Sequence, residues 1–309
     1  MPVRDLFPVP RLLVGDTFDV AFDWITTHLA WLFDAIAWVT GGATELLTDA
    51  LAWPPPVVLA LALAILGVLL RSVTFGVVSF AGLLLVISME LWTEAMETLA
   101  LVLTATIAAT VIAVPVGILA ARYDRFSTVL RPVLDFMQTM PAFVYLVPAV
   151  TLFSIGTVPG VVVTIIFAMP PGVRLNELGI RQVDAEVVEA GNAFGGSPRQ
   201  ILRGIQLPLA LPTIMAGVNQ VIMLALSMAV IAGLIGANGL GSTVTTAISR
   251  LNVGLGVEAG LSVVVIAIYL DRITGALGTD GGLLRALRRR GAAGTSRVTR
   301  SAAKEPAGV

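Results

Sequence analysis

The sequence predicts an all-α protein that crosses a membrane several times. Hydrophobic residues make up 57% of the 309 residues and charged residues only 13%, which is far outside the composition of soluble domains. The mean hydropathy is +0.93. Several apolar runs approach or exceed the roughly 20 residues that a helix needs to span a bilayer. We therefore expect a polytopic helical membrane protein surrounded by membrane lipids.

The first segment, residues 1–53, is expected to lie outside the cytoplasm and to carry an amphipathic helix over 19–39. Along this helix the aspartates and threonines fall on one arc, and the tryptophans and aliphatic residues fall on the other. Tryptophans on a wide apolar face favour a helix that lies in the membrane interface. The alternative is a helix packed on the outer surface of the protein itself. The single histidine, His28, lies on the apolar side, which favours an interfacial side chain over a ligand.

Three consecutive prolines, Pro54 to Pro56, separate this segment from a predicted transmembrane domain over residues 54–275. The seven predicted spans cover about 56–70, 73–92, 98–121, 140–155, 158–173, 209–235 and 257–270. Several of them contain proline or glycine, and such helices are tolerated in a membrane where they pack on protein or line a cavity. This pattern is typical of a transporter rather than a bundle of simple anchors.

The arginines predict the orientation of the chain. One side of this topology holds most of them, namely Arg71, Arg122, Arg125, Arg131, Arg174, Arg181, Arg199, Arg203 and the run at 285–290. The other side holds Arg4, Arg11 and Arg250 together with Glu90, Glu94 and Glu97. The positive-inside rule then places the N-terminus outside and the C-terminus in the cytoplasm, in the plasma (cytoplasmic) membrane. Residues 276–309 form a basic tail that we expect to be disordered. The basic run at 285–290 is interpreted as a cytoplasmic flank, with lipid sensing as the alternative.

The longest polar stretch in the middle of the chain is residues 184–208, on the predicted cytoplasmic side. Asp184 can cap a short helix, and Gly195 followed by Gly196 can end it, because glycine adopts the left-handed conformation at little cost. Ser197 can then cap a second helix, which Pro208 would end.

Two further signals mark the start of that second helix. Pro198 stands at its first position, and Gln200 follows Ser197 by three residues, which is the spacing of a capping box. Arg199 and Arg203 give the helix a basic face. A short capped helix with a basic face, carried by a membrane domain, is suited to be held by another protein.

This stretch resembles the coupling loop of ABC importer permeases. That signature is Glu-Ala-Ala, three residues, Gly, nine residues and Ile-x-Leu-Pro. The chain has Glu189, Ala190 and Gly191, then Gly195, and then Ile205-Gln206-Leu207-Pro208 at the same spacing. It departs from the signature only at Gly191, a small residue in place of a small one. The resemblance implies that residues 184–208 dock into a separate ATPase subunit, which binds ATP and Mg.

Other segments resemble the glycine betaine/proline betaine permeases in particular. They are residues 137–149, 158–160, 170–171, 174–175, 178–183, 207–217 and 270–272. The resemblance covers about 54–275 and implies the type I ABC importer permease fold. It also implies the partners of such a subunit: ABC ATPase subunits, an external solute-binding protein and a second permease, which we expect to be a second copy of this chain.

Most other chemistries find no support in the sequence. It contains no phosphate-binding G-x-x-x-x-G-K-[ST] motif, so we expect this chain neither to hydrolyse ATP nor to hold a cofactor itself. An intramembrane enzyme built on Ser262 lacks a base within the membrane. A proton-driven carrier would need paired carboxylates within a span, whereas Asp271 stands beside Arg272 at a span end. The absence of cysteine excludes thiolate metal sites, and no basic patch with interleaved aromatics suggests nucleic acid.

The residues that line a solute pathway are harder to predict. Asn219 and Gln220 in the sixth span are candidates, and hydrogen bonds between helices are the alternative role for both. A quaternary ammonium group is usually held by aromatic faces, and the spans show no such cage. We therefore expect the external binding protein to select the solute. The rival prediction is an importer of the same fold for amino acids or methionine.

Overall fold

The structure, a computed structural model, describes residues 14–278, and this range contains helices and no strand. The α-helices are α1 Val14–His28, α2 Ala30–Ala52, α3 Pro56–Leu70, α4 Val73–Ser88, α5 Trp92–Arg122, α6 Asp124–Thr139, α7 Ala142–Phe153, α8 Thr157–Arg181, α9 Ala185–Ala193, α10 Pro198–Ile201, α11 Leu207–Ala232, α12 Leu240–Ser249 and α13 Val253–Gly278. A π-helix, Leu202–Gln206, joins α10 to α11, and a 3₁₀ turn, Gly233–Ile235, follows α11. Arg4, Arg11 and the basic run at 285–290 lie outside the described residues.

Four helices in the described range are long and apolar enough to cross a membrane: Trp92–Arg122, Thr157–Arg181, Pro198–Ile235 and Val253–Leu277. The number rises to six if α2 with α3, bent by 101°, and α6 with α7, bent by 94°, each form one span. Helix α4 is a shorter apolar helix. The count of seven spans therefore stays a prediction.

The fifth predicted span is longer than the sequence suggested. We expected it to end near Val173, yet α8 continues to Arg181. The helix therefore extends beyond the predicted span, and the polar residues of this extension, including Asn176 and Glu177, are buried inside the protein. Hydropathy alone cannot distinguish such buried polar residues from exposed ones.

The N-terminal segment also differs from the prediction of one helix over 19–39. Two helices meet at Leu29, and the second continues to Ala52. Helix α2 packs against α5 and α8, where Thr40 and Thr44 are buried and each donates a 2.7 Å hydrogen bond to the carbonyl four residues earlier. Helix α2, which extends beyond the predicted end at residue 39, thus packs on the protein. The interfacial position of α1 stays a prediction.

The core is built from α8 and the two helices that sandwich it, α5 and α11. Glycines allow these backbones to approach closely, as in many membrane helix pairs. A Cβ atom at Gly117 of α5 would lie 2.5 Å from the Cβ of Asn176 and 2.9 Å from the carbonyl oxygen of Val173. A Cβ atom at Gly172 of α8 would lie 2.9 Å from the side chain of Val221 in α11. The three helices therefore meet almost backbone to backbone.

The turn between α11 and α12 joins the end of α11 to the start of α5. Gly236 and Gly239 have φ values of 82° and 107°, which glycine adopts without strain. The backbone N–H of Leu240 then donates a 2.8 Å hydrogen bond to Oγ1 of Thr98 in α5. The helix that follows this turn, α12, lies between the sixth and seventh predicted spans, and the sequence did not predict it.

Candidate functional site

The stretch 184–208 forms two short helices at the end of the bundle where α5 and α8 finish. Asp184 caps α9 as predicted, because its Oδ1 accepts a 2.9 Å hydrogen bond from the backbone N–H of Glu186. Glu189 and Ala190 are exposed on α9. Phe194, immediately after the helix, exposes 93% of its surface. An apolar ring so far out of the protein marks a surface suited to contact with a partner.

The turn between the two helices has the conformation predicted for it. Gly195 has a φ of 77°, in the left-handed region that favours glycine. The backbone N–H of Phe194 donates to the carbonyl of Ala190, and that of Gly196 donates to the carbonyl of Gly191, both at 3.1 Å. These bonds satisfy the last carbonyls of α9, as in other glycine-terminated helices. The reversal of the chain therefore depends on Gly195.

The predicted capping box at the start of α10 is confirmed. The backbone N–H of Ser197 donates a 2.8 Å hydrogen bond to Oε1 of Gln200, and the backbone N–H of Gln200 donates to Oγ of Ser197 at 3.4 Å. Pro198 occupies the first turn, as expected. The four-residue helix α10 thus has a start fixed by three side chains.

Replacing Ser197 with alanine should have a mild effect, because losing an N-cap costs about 1 kcal/mol. We expect the variant to fold normally and to keep a large part of the transport activity proposed below. Ser197→Thr, which retains the hydroxyl, is the matched control and should act as wild type. Uptake by the complex reconstituted in proteoliposomes with its ATPase and binding protein checks both. A complete loss in Ser197→Ala would show that the serine does more than cap.

Pro208 does not end the second helix, and this prediction was wrong. Helix α10 passes through the π-helical turn Leu202–Gln206 directly into α11, so one unbroken helical segment covers Pro198–Ile235. Proline disrupts an α-helix because it lacks an N–H and collides with the carbonyl four residues earlier. The turn just before Pro208 is a π turn, in which the N–H of Leu207 donates to the carbonyl of Leu202, five residues earlier.

Helix α9 contacts the segment formed by α10 and the π turn. A Cβ atom at Gly191 in α9 would lie 2.6 Å from Cδ1 of Ile205 and 3.6 Å from Cγ1 of Ile201. Ile201 of α10 is buried, while Arg199 and Arg203 are exposed. Leu207, which follows the π turn, is half-buried. Gly191 and Ile205, which belong to separate parts of the resemblance, are therefore in contact.

A polar cluster that the sequence did not reveal lies beside the base of this site. It centres on the buried carboxylate of Glu177 in α8, whose Oε1 accepts hydrogen bonds from Oγ of Ser127 at 2.7 Å and from Nε of Arg181 at 2.9 Å. Arg131 contacts the same oxygen at 3.4 Å. Ser127 and Arg131 both belong to α6, so one carboxylate joins α6 to α8.

Arg181 extends this cluster to a third helix. Its guanidinium donates a 2.8 Å hydrogen bond to the carbonyl of Ala120, near the end of α5, and lies 2.7 Å from a carboxylate oxygen of Asp124. Asp135 and Arg174 form a separate, exposed ion pair between α6 and α8. The arginines were interpreted only as a cytoplasmic flank. An acidic residue within a predicted loop, four positions before an arginine, was the signal that could have revealed the cluster.

The two proposed pathway residues have different surroundings. Asn219 donates a 2.8 Å hydrogen bond to Oδ1 of Asp271 and accepts one from Oγ1 of Thr274 at 3.0 Å, so it joins α11 to α13. Gln220 is exposed. The contacts of Asn219 are those of the alternative role, hydrogen bonding between helices. A part in the pathway stays a prediction for both residues.

Taken together, the fold and this site define a class of protein. The apolar bundle is packed for a membrane, and the exposed helical pair is continuous with one of its core helices. Such an arrangement is that of a polytopic membrane protein with a helical loop exposed at one end of its bundle.

Comparison with known proteins identifies the family. Residues 113–279 match the family described as the binding-protein-dependent transport system inner membrane component. The chain belongs to this family, so it is a permease subunit of an ABC transporter and not itself an enzyme. This confirms the membrane and transport classes that the sequence predicted.

Individual relatives extend the match over most of the chain. The chain is 50% identical over 262 residues to the glycine betaine/proline betaine transport system permease protein ProW of Escherichia coli, covering 84% of this chain and 73% of ProW. It is 46% identical over 266 residues to the glycine betaine transport system permease protein OpuAB of Bacillus subtilis, covering 86% and 94% of the two chains.

The solved structures agree on the fold. The MetNI methionine ABC transporter, in inward-facing conformations, gives TM-scores of 0.51 and 0.53 at 25% and 23% identity, and the match covers 58–61% of this chain and 89–92% of the other. The fold is therefore that of a type I ABC importer permease, as the resemblance implied.

Proposed function

We propose that this chain is the membrane subunit of an ATP-driven, binding-protein-dependent importer for compatible solutes of the glycine betaine and proline betaine type. The identity of 50% to ProW over 84% of the chain carries this proposal. A similar identity to OpuAB, named for glycine betaine, supports the same class of solute. Two copies of the chain would form the translocation pathway, and the external binding protein would select the solute.

The proposed contact with the ATPase is the 184–208 loop. It exposes an apolar ring, Phe194, and two cations, Arg199 and Arg203, at one end of the bundle. Its two helices begin at local caps, Asp184 for α9 and Ser197 with Gln200 for α10, so the loop can present a defined shape to a partner. ATP and Mg would be bound by that partner and not by this chain.

Uptake measurements test the proposed solute directly. The chain, reconstituted in liposomes with its ATPase and binding protein, should accumulate labelled glycine betaine when ATP is supplied on the cytoplasmic side. Excess proline betaine should compete, and excess methionine should not. Accumulation of methionine or another amino acid in place of betaine would favour the rival importer, which shares the fold with MetNI.

The proposed orientation places residues 1–53 outside, the permease domain 54–275 in the membrane and residues 276–309 in the cytoplasm. Because the chain contains no cysteine, labelling of single introduced cysteines can test this orientation. Thr93 at the start of α5 and Arg199 of the loop are both exposed. We expect Thr93→Cys to react with a membrane-impermeant maleimide in intact cells, and Arg199→Cys to react only after permeabilisation. Reaction of both from one side would contradict the topology.

A further inference from the structure

The π-helical turn Leu202–Gln206 stands between the exposed helix α10 and the core helix α11. A π turn closes hydrogen bonds over five residues rather than four, so it holds one residue more than the α-helical turn it replaces. Such turns are rare and are frequently found at functional sites. Here the N–H of Leu207 donates to the carbonyl of Leu202, five residues earlier. The segment therefore has a second register available, the α-helical one.

Pro208 biases the segment against that second register. In an α-helix its ring would collide with the carbonyl of Gly204, and it has no N–H to donate to that carbonyl. Gly204 itself adds no side chain to the π turn. It is exposed, and a Cβ atom built on it would meet nothing within 4 Å. The π register is thus favoured by a specific residue, and the α register is opposed without being blocked by surrounding side chains.

The π turn Leu202–Gln206 has space in which to change its conformation. A cavity of about 210 Å³ lies beneath it, lined by Leu202 and Gln206 of the π turn and by residues of α5, α8, α9 and α10. A change of one residue in register turns a helix by about 100° and moves it by about 1.5 Å along its axis. Such a change would carry Arg199 to another face of the segment and break the contact between Gly191 and Ile205.

We propose that the π turn is a register joint, with Pro208 and Gly204 as positioning residues, through which the ATPase turns α10 relative to α11 during transport. This inference rests on the proposed function, because it assigns the step by which the 184–208 loop acts. In the resting register α9 lies on Ile205. When the partner moves the loop, the π turn passes to the α register, and α10 rotates relative to α11, which transmits the force to the core as one body.

Removing the joint provides the first test. Deletion of Gly204 leaves an uninterrupted α-helix with α10 and α11 still in phase, so the loop should still bind the ATPase. We expect ATP hydrolysis to continue and glycine betaine uptake per ATP to fall at least tenfold. Pro208→Ala instead removes the bias against the α register. It should shift the equilibrium between the π and α registers toward α by roughly a hundredfold, with the same loss of uptake. Pro212→Ala, one turn further along α11, is the matched control and should transport as wild type.

A distance measurement tests the joint without reference to the solute. Arg199 in α10 and Met223 in α11 are both exposed, and the chain contains no cysteine. Spin labels on Arg199→Cys and Met223→Cys therefore report the distance between α10 and α11. We expect two distances in the wild-type complex that exchange between the nucleotide-free and ATP-bound states, and one unchanging distance after deletion of Gly204. One distance in both states of wild type, or normal uptake per ATP in the deletion variant, would overturn the register joint. A wild-type complex whose distance changes with ATP but which accumulates no betaine would instead contradict the proposed solute alone.

Discussion

Replacing Gly195 with valine is expected to abolish uptake while leaving the protein inserted in the membrane and abundant. Gly195 has a φ of 77°, and a β-branched residue in that conformation costs on the order of 1–2 kcal/mol or more. No atom lies within 4 Å of the position of an added Cβ, so the effect would come from the backbone and not from a clash. The turn between α9 and α10 would change direction, and the surface that we propose for ATPase contact would be lost. Uptake and hydrolysis by the reconstituted complex measure the loss.

Gly195→Asn is the matched control for this variant. Asparagine tolerates the left-handed conformation better than other non-glycine residues, and the open space around Gly195 accommodates its side chain. We expect this variant to keep most of the activity. Wild-type uptake by Gly195→Val at normal expression would show that the 184–208 loop is only a connector.

Replacing Glu177 with alanine should have the largest effect on stability. The carboxylate is buried and holds Ser127, Arg131 and Arg181 together. Breaking a buried ion pair by removing one partner costs about 3–5 kcal/mol. We expect about 2–3 kcal/mol here, because Arg131 and Arg181 remain partly in contact with water. Thermal unfolding in detergent should show the loss as a lower midpoint.

Asp135→Ala provides the comparison on the same pair of helices. It also removes an ion pair between α6 and α8, but both partners of this pair are exposed, Arg174 by 40% and Asp135 by 62% of the side chain. Exposed pairs contribute about 0–1 kcal/mol, so its midpoint should stay close to wild type. Equal losses in the two variants would mean that burial of Glu177 does not decide the stability of this region.

The sequence was most informative where structure is determined by neighbouring residues. The cap at Asp184, the left-handed glycine at 195 and the capping box of Ser197 with Gln200 follow from side chains that bond their own backbone a few residues away. Such rules need no knowledge of the fold, and the structure has each of these features. The resemblance to the coupling loop of ABC importer permeases depended on the same short stretch.

Features that depend on distant parts of the chain could not be predicted in this way. Glu177 binds Ser127 across 50 positions, and nothing near either residue indicates the other. Pro208 was interpreted as a helix end because proline usually is one, and the π turn that accommodates it has no sequence signal of its own. The buried polar residues of α8 shortened the predicted span for the same reason, since their burial is a property of the packed bundle.

The close contacts around α8 have a consequence for how the protein can change shape. At Gly117 and Gly172 the neighbouring helices touch through main-chain atoms and short side chains, and no long side chain there can change rotamer to let one helix slide past another. Interlocked surfaces of this kind move as one rigid body. An alternation between outward-open and inward-open states must then leave α5, α8 and α11 in fixed mutual positions and place its hinges at the periphery, in the bent helix pairs and in the turn that precedes α11.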